Sequence, residues 1–105
     1  MARRIHWLNQ ALRELFHRCQ FVEKKASLAK SIQLEEDAFQ ATEILKDFPL
    51  LGRVVDGVTP EHRCILFAEK SHWLVYRVSP KAVTVVAVIS TTQDFQKAWE
   101  SRKRV

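Results

Sequence analysis

The chain has 105 residues, of which 47% are hydrophobic and 28% are charged, with only two glycines and three prolines. This composition excludes a disordered or low-complexity chain, and the length suits one domain, spanning residues 1–105, with one core. Seventeen lysines and arginines against twelve acidic residues give a formal net charge of +5. That excess favours an anionic partner, either nucleic acid or an acidic protein surface.

The amino terminus predicts neither a secretory signal nor a membrane span, because polar residues between positions 9 and 14 interrupt every apolar run. The two cysteines are too few for the disulfide framework of a small secreted domain. We therefore expect a cytoplasmic protein that does not contact a membrane.

Residues 3–8 predict a short first strand. They alternate loosely between polar and apolar side chains and include Ile5 and Trp7, which suit a pleated, half-buried surface. Asn9 follows directly and is a candidate N-cap for a helix.

Two amphipathic helices are predicted between residues 9 and 48. Apolar side chains recur there at alternating steps of four and three, which places them along one face of each helix. Ser27 is a candidate cap for the second helix, and Pro49 and Gly52 end it. Because almost nothing separates the helices, they must fold back on each other as an antiparallel hairpin that buries both apolar faces.

Three strands are predicted at residues 63–68, 72–78 and 83–89, joined by connections short enough for hairpins. The fold class is therefore α+β, with the helix hairpin packed on one face of an antiparallel sheet and a short helix or tail at the end. The other face of the sheet keeps tryptophan and valine side chains. A soluble monomer rarely exposes such a patch without a use, so the tail, a second copy or another protein should cover it.

The order of elements and two short motifs resemble the RelE/ParE superfamily of toxins from bacterial toxin-antitoxin systems. The resemblance covers nearly the whole chain. The family's motifs, P-x-x-G-R after a helix and Y-R-hydrophobic-hydrophobic-Y-R-V on a strand, match at Pro49, Gly52, Arg53, Tyr76, Arg77 and Val78. His72 and Trp73 depart from the second motif, because the family usually has Tyr and Arg there.

The two branches of this superfamily imply different chemistry. RelE-like members resemble ribosome-dependent endoribonucleases that use two arginines and a tyrosine, and those places hold Trp73, Gln93 and Trp99 here. None of these side chains supplies a guanidinium charge, and an indole N–H has no usable acid-base pKa. ParE-like members have a long helix hairpin, lack that catalytic set and poison DNA gyrase by binding. The resemblance therefore favours a ParE-like toxin that binds gyrase and is neutralised by a cognate antitoxin.

The ParE-like resemblance implies no catalytic residue, no cofactor and no small-molecule ligand. We expect the antitoxin to cover the apolar sheet face at Trp73, Val75, Val86, Val88 and Trp99. We expect the target to contact the basic residues Arg53, Arg63, Arg77, Arg102, Lys103 and Arg104. The alternative is an mRNA endonuclease that acts on the ribosome with a displaced catalytic set, drawn from His62, Arg63, His72 and Arg77.

A repeated His-Arg-Cys sequence, at residues 17–19 and 62–64, raises the question of a zinc site. Residues two apart on a helix point to nearly opposite sides, so His17 and Cys19 cannot chelate one ion together. We therefore expect no metal, and Cys19 is most simply a small core residue.

Overall fold

The computed structural model describes residues 3–54 and 61–102, which form four strands and three helices. In chain order these are β1 (Arg4–Trp7), α1 (Asn9–Lys25), α2 (Leu28–Asp47), β2 (His62–Phe67), β3 (His72–Val78), β4 (Ala82–Ser90) and α3 (Phe95–Arg102). The predicted α+β architecture is confirmed, with a helix hairpin, a three-stranded meander and a short terminal helix.

The four strands form one sheet in the order β1-β4-β3-β2. The meander is antiparallel, as predicted. β1 runs parallel to β4, with Ile5 opposite Val83 and Trp7 opposite Val85, so the sheet as a whole is mixed. Parallel neighbours need a long connection between them, and here the helix hairpin and the first two meander strands supply it.

The boundary between β1 and α1 lies one residue earlier than predicted. α1 begins at Asn9, while Leu8 occupies the N-cap position with an extended backbone and no side-chain cap. The Leu8 N–H donates to the Val85 carbonyl at 3.1 Å. Strand pairing therefore continues up to Leu8 and decides where the helix starts.

The junction between α1 and α2 lies at Ser27, as predicted. The Ser27 Oγ accepts a hydrogen bond from the Lys30 N–H at 3.1 Å and caps α2. One turn later the Ser31 hydroxyl donates to the Cys19 carbonyl at 2.8 Å, across the interface between the helices. The hairpin is thus held at its closed end by two serine hydroxyls.

The connection between β2 and β3 is a tight turn of left-handed residues. Ala68, Glu69 and Lys70 have φ values of 53°, 56° and 67°. β2 therefore ends at Phe67, one residue before the predicted end, because a residue with positive φ cannot continue a strand. The Ser71 hydroxyl closes the turn by donating to the Ala68 carbonyl at 2.7 Å.

The main core lies between the helix hairpin and one face of the sheet. Its largest fully buried side chains are Leu15, Leu45, Leu74 and Tyr76. Smaller residues such as Ala38 complete the close packing of this core.

A β-bulge in β4 changes which residues face the main core. Val75 lies opposite Ala87, but Tyr76 lies opposite Val85, so Val86 is the extra residue. Beyond the bulge the alternation is reversed, and Val88 joins the main core. The prediction that Val88 lies on the outer face with Val86 is therefore wrong.

The outer face of the sheet is covered by α3. Trp99 of α3 packs in a second buried cluster with Val75, Val86 and Ile89, and Phe95 packs beside it. Of the three coverings expected for this face, the terminal helix of the same chain is the one that the structure shows at Val75, Val86 and Ile89.

One tyrosine joins the end of the helix hairpin to the middle of the sheet. The buried Tyr76 hydroxyl donates to the Pro49 carbonyl at 2.8 Å and accepts from the Gly52 N–H at 2.7 Å. Burial raises the pKa of Tyr76, which keeps the hydroxyl protonated and able to donate. A Cβ on Gly52 would lie 2.5 Å from the Tyr76 Oη and 3.0 Å from the Cys64 carbonyl oxygen, so only glycine fits.

Substitutions at the contact between Gly52 and Tyr76 should destabilise the protein, and their effects on the free energy of unfolding should not be additive. Gly52→Ala should lower the free energy of unfolding by about 2 kcal/mol, because the new methyl group overlaps the Tyr76 ring. Tyr76→Phe should cost about 2 kcal/mol, because it leaves two buried backbone groups without their partner. Urea unfolding of both variants and the double variant measures this. The double variant should lose less than the sum, and strict additivity would contradict direct contact.

Candidate partner-binding surfaces

An apolar groove runs along the free edge of β2, with a volume of about 460 Å³. We name it the edge groove; its lining residues are Ala41, Ile44, Leu51, Arg53, Cys64, Ile65, Leu66 and Trp73. Three of its large apolar side chains are well exposed, with exposed fractions of 47% for Ile44, 62% for Leu51 and 38% for Leu66. Phe48, Leu50 and Val54 extend this exposed apolar surface beyond the groove.

Part of the β2 edge in this groove is open to strand pairing. The Cys64 backbone points outward and pairs with Arg53, with N–H to carbonyl distances of 3.1 and 2.9 Å. Backbone direction repeats every second residue in a strand, so the Leu66 N–H and carbonyl point outward as well. No residue in the described part of the chain pairs with them. An unpaired strand edge next to an apolar groove is a template for another strand.

Arg53 stands at one end of the edge groove above Trp73. The Arg53 Cζ lies 5.6 Å from the centre of the Trp73 ring, and Phe95 meets the same ring edge to face at 5.9 Å. Burial raises the pKa of the neighbouring Cys64 thiol to about 11, so this thiol is neutral beside the Arg53 guanidinium. Arg53 and Trp73, expected to serve two different partners, therefore form one surface.

Two of the arginines expected to meet a target are instead bonded within the chain. The Arg63 guanidinium donates to the Gly52 carbonyl at 2.7 Å and fixes the turn after α2. The Arg102 Nε donates to the Glu14 carboxylate at 2.6 Å, its Nη2 donates to the Val86 carbonyl, and its side chain is only 12% exposed. Arg102, which was expected to contact a target, is therefore held within the fold.

Arg53 and Arg77 remain exposed and available to a target. Both lie on the side of the sheet that carries Trp73, because Arg77 is two strand residues from Val75 and four from Trp73. Lys103 and Arg104 lie outside the described residues.

Most residues expected to contact an antitoxin are buried. Val75, Val86 and Trp99 are covered by α3, and Val88 is covered by the helix hairpin. Trp73 alone among the five is half-buried at the surface, where it lines the edge groove.

The residues of the alternative catalytic set do not meet. His62 and Arg77 are cross-strand neighbours, but Arg63 points to the opposite face and bonds to the turn after α2. His72 lies at the other end of β3, five residues from Arg77, which places it roughly 17 Å away. No single phosphate could contact all four side chains.

The three positions that hold catalytic groups in RelE-like toxins carry side chains with other surroundings in this structure. Trp73 lies under Arg53, and Trp99 packs edge to face against His62 at 5.2 Å. Gln93 is exposed in the connection between β4 and α3. The two tryptophans pack against the sheet, and none of the three side chains supplies a cation.

His72 is buried and neutral. Its Nε2 accepts a hydrogen bond from the Arg18 Nε at 3.2 Å, and its Nδ1 lies 2.7 Å from the Ser71 Oγ. The Ser71 hydroxyl proton is used on Ala68, so these partners assign the Nδ1–H tautomer. Burial, followed by the charge of Arg18, lowers the pKa of His72 to about 4. This ring cannot exchange a proton near neutral pH.

The edge groove contains residues that the sequence did not single out. Ile44, Leu51 and Leu66 were assigned to no site, although Ile44 lies off the apolar face of α2 and Leu51 follows Pro49. The sequence signal that could have identified this groove is the presence of large apolar residues outside the predicted core faces.

Metal-binding groups and membrane-spanning helices are both absent from residues 3–54 and 61–102. No group of three His, Cys, Asp or Glu side chains is arranged to hold a metal ion. No helix combines the length and the apolar character needed to cross a membrane.

No family model matches the sequence, and no curated protein matches it either. A solved structure described as "Chromosomal ParDE TA system from P. aeruginosa" is similar, with a TM-score of 0.73 at 13% identity. The likeness covers 85% of this chain and 96% of that chain. The chain has the fold of a ParDE component. The fold that the sequence resemblance predicted is therefore confirmed.

His72 should make the stability of this fold depend on pH. Between about pH 4 and 6.5 the unfolded chain binds a proton at His72 that the folded chain excludes, so stability falls as pH falls through this window. The loss should reach about 3 kcal/mol, measured by urea unfolding at several pH values.

His72→Gln keeps an acceptor for Arg18 and cannot titrate, so most of this pH dependence should disappear. His6→Gln, at an exposed position, is the matched control and should retain it. An unchanged pH dependence in His72→Gln would contradict the assignment.

Proposed function

We propose that this protein is the toxin of a type II toxin-antitoxin system that acts in the cytoplasm. It inhibits growth by binding an essential target, DNA gyrase, and a cognate antitoxin neutralises it. The observation that carries the proposal is the edge groove, an exposed apolar surface beside an open strand edge, on a fold shared with a ParDE component.

The edge groove suits a partner segment that is extended, apolar and acidic. An added strand would pair with the Leu66 backbone, and its apolar side chains would cover Ile44 and Leu51. Each Å² of apolar surface covered in this way contributes about 25 cal/mol. A carboxylate on the segment would meet the exposed guanidinium of Arg53. An antitoxin with this chemistry would bind the toxin more tightly than an antitoxin that contacts it through charge alone.

Binding, and not RNA cleavage, is the mechanism that the arrangement of side chains favours. Phosphodiester cleavage needs preorganised cations and a proton-transferring group at one place. His62, Arg63, His72 and Arg77 lie on different faces or strand ends, and His72 stays neutral. Arg53 and Arg77 are therefore proposed as contacts to the target, and Arg63 and Arg102 as residues that stabilise the fold.

The antitoxin should depend on the edge groove. Leu66→Asp should weaken its binding at least tenfold, because the new carboxylate lies in the apolar groove beside the open strand edge. Leu28→Asp is the matched control, since Leu28 is 59% exposed at the far end of the helix hairpin. Titration calorimetry with the cognate antitoxin provides the measurement. Equal affinity of the Leu66 and Leu28 variants would count against this groove.

The target should be gyrase and not the translated message. Expression in a susceptible bacterium should induce DNA damage signalling and filamentous cells, and the purified toxin should inhibit gyrase supercoiling. Arg77→Ala should reduce this inhibition without loss of folding, because the Arg77 side chain is exposed. Messenger cleavage at the ribosomal A site, mapped by primer extension soon after induction, would falsify the binding mechanism.

A further inference from the structure

We propose that the outer face of the helix hairpin binds a second copy of this chain and forms a two-fold symmetric dimer. The outer face is the side of α1 and α2 that points away from the sheet. The residues that the proposal uses are Arg13 and Phe16 of α1 and Ile32, Glu36 and Phe39 of α2. This surface goes beyond the proposed toxin function and does not depend on it.

The outer face carries a stripe of exposed apolar side chains. Arg13 and Phe16 are three residues apart on α1, and Ile32, Glu36 and Phe39 recur at steps of four and three on α2, so each set shares one side of its helix. All five residues are exposed. The exposed fractions of the three apolar side chains are 43% for Phe16, 47% for Ile32 and 37% for Phe39. Large apolar residues grouped in this way indicate an interaction surface.

The charges on the two helices select the partner. α1 carries four basic and two acidic residues, a formal charge of +2, and α2 carries two basic and five acidic residues, a formal charge of −3. A partner for the outer face must therefore present a basic half and an acidic half in the reverse order. An acidic antitoxin segment would be attracted by α1 and repelled by α2. A second copy of the chain supplies both halves.

A two-fold axis parallel to the helices brings opposite charges together, because it lays α1 of each copy on α2 of the other. The hydrogen bond from the Ser31 hydroxyl to the Cys19 carbonyl fixes which residues of the two antiparallel helices lie at the same level. Six residues before Cys19 is Arg13, and six residues after Ser31 the chain is one residue past Glu36. The axis keeps each residue at its own level, so Arg13 meets Glu36 of the second copy.

The same level rule places the apolar side chains in contact across the axis. Phe16 is three residues before Cys19, which is level with the turn of α2 between Ile32 and Glu36. Phe16 of each copy therefore packs against Ile32 of the other. Arg13 and Glu36 form no ion pair within the described residues, so both are available to form the pair between copies, and symmetry makes it twice.

The size of the outer face is sufficient for a weak dimer. The helices have 17 and 20 residues, which at about 1.5 Å per residue gives lengths of about 26 and 30 Å. Two neighbouring helices about 10 Å apart then present roughly 500 Å² per copy, or about 1,000 Å² in the dimer. This area is at the lower end for a specific interface, so we expect a dissociation constant in the micromolar range.

The edge groove stays open in this dimer. It follows β2 at one edge of the sheet, whereas the outer face of the hairpin points away from the sheet. Self-association and antitoxin binding can therefore be measured separately on the full chain.

Sedimentation velocity at several protein concentrations tests the proposal. Arg13→Glu places acid against acid between the copies, and Glu36→Arg places base against base, so each variant should self-associate at least tenfold more weakly than the unchanged chain. An equimolar mixture of the two variants should form heterodimers, because both ion pairs are then restored with reversed or original sign. A folding defect in either variant would not be rescued by mixing.

Arg4→Glu is the matched control, since Arg4 is exposed on β1, lies outside the hairpin and undergoes the same change of charge. Its self-association should equal that of the unchanged protein. Ile32→Asp should weaken self-association, because it places a carboxylate in the apolar contact.

Three results would overturn the proposal. The first is a chain that remains monomeric up to about 1 mM. The second is a mixture of the Arg13 and Glu36 variants with no more dimer than either variant alone. The third is loss of antitoxin binding in Ile32→Asp with unchanged self-association, which would assign the outer face to the antitoxin.

Discussion

The hydroxyl of Tyr76 is the contact on which the shape of the functional surface depends. It bridges the Pro49 carbonyl and the Gly52 N–H, and so attaches the end of the helix hairpin to the centre of the sheet. This attachment brings Arg53 into backbone pairing with Cys64 and places its guanidinium over Trp73. The P-x-x-G-R motif is thus explained by packing: glycine leaves room for the tyrosine, and the arginine that follows lies at the edge groove.

Near the opposite edge of the sheet, an ion pair fixes the position of α3. Glu14 and Arg102 bond to each other and to the β4 backbone where β1 has ended. The pair holds α3 across the outer face of the sheet, which buries Trp99. The sheet face under α3 is therefore closed to partners, and the edge groove remains open to them.

The histidines and tryptophans of this chain serve packing more than proton transfer. His72 is kept neutral by burial and by Arg18, and His62 packs against Trp99. A nuclease needs charge and proton transfer at one point, whereas a binding protein needs exposed complementary surfaces. The edge groove with Arg53 is the exposed surface on which the proposed function rests.

Local sequence determined the elements of this protein, and long-range contacts decided its sites. Helical periodicity, the Ser27 cap and the short strand connections depend on neighbouring residues, so the sequence predicted the helix hairpin and the meander. The bulge at Val86 and the pairing of Glu14 with Arg102 join residues distant in the chain, and no local pattern encodes them. The bulge turned Val88 inward, and the ion pair held α3 over the outer face. A sheet face is buried by whichever element reaches it, and only the tertiary structure establishes which element does.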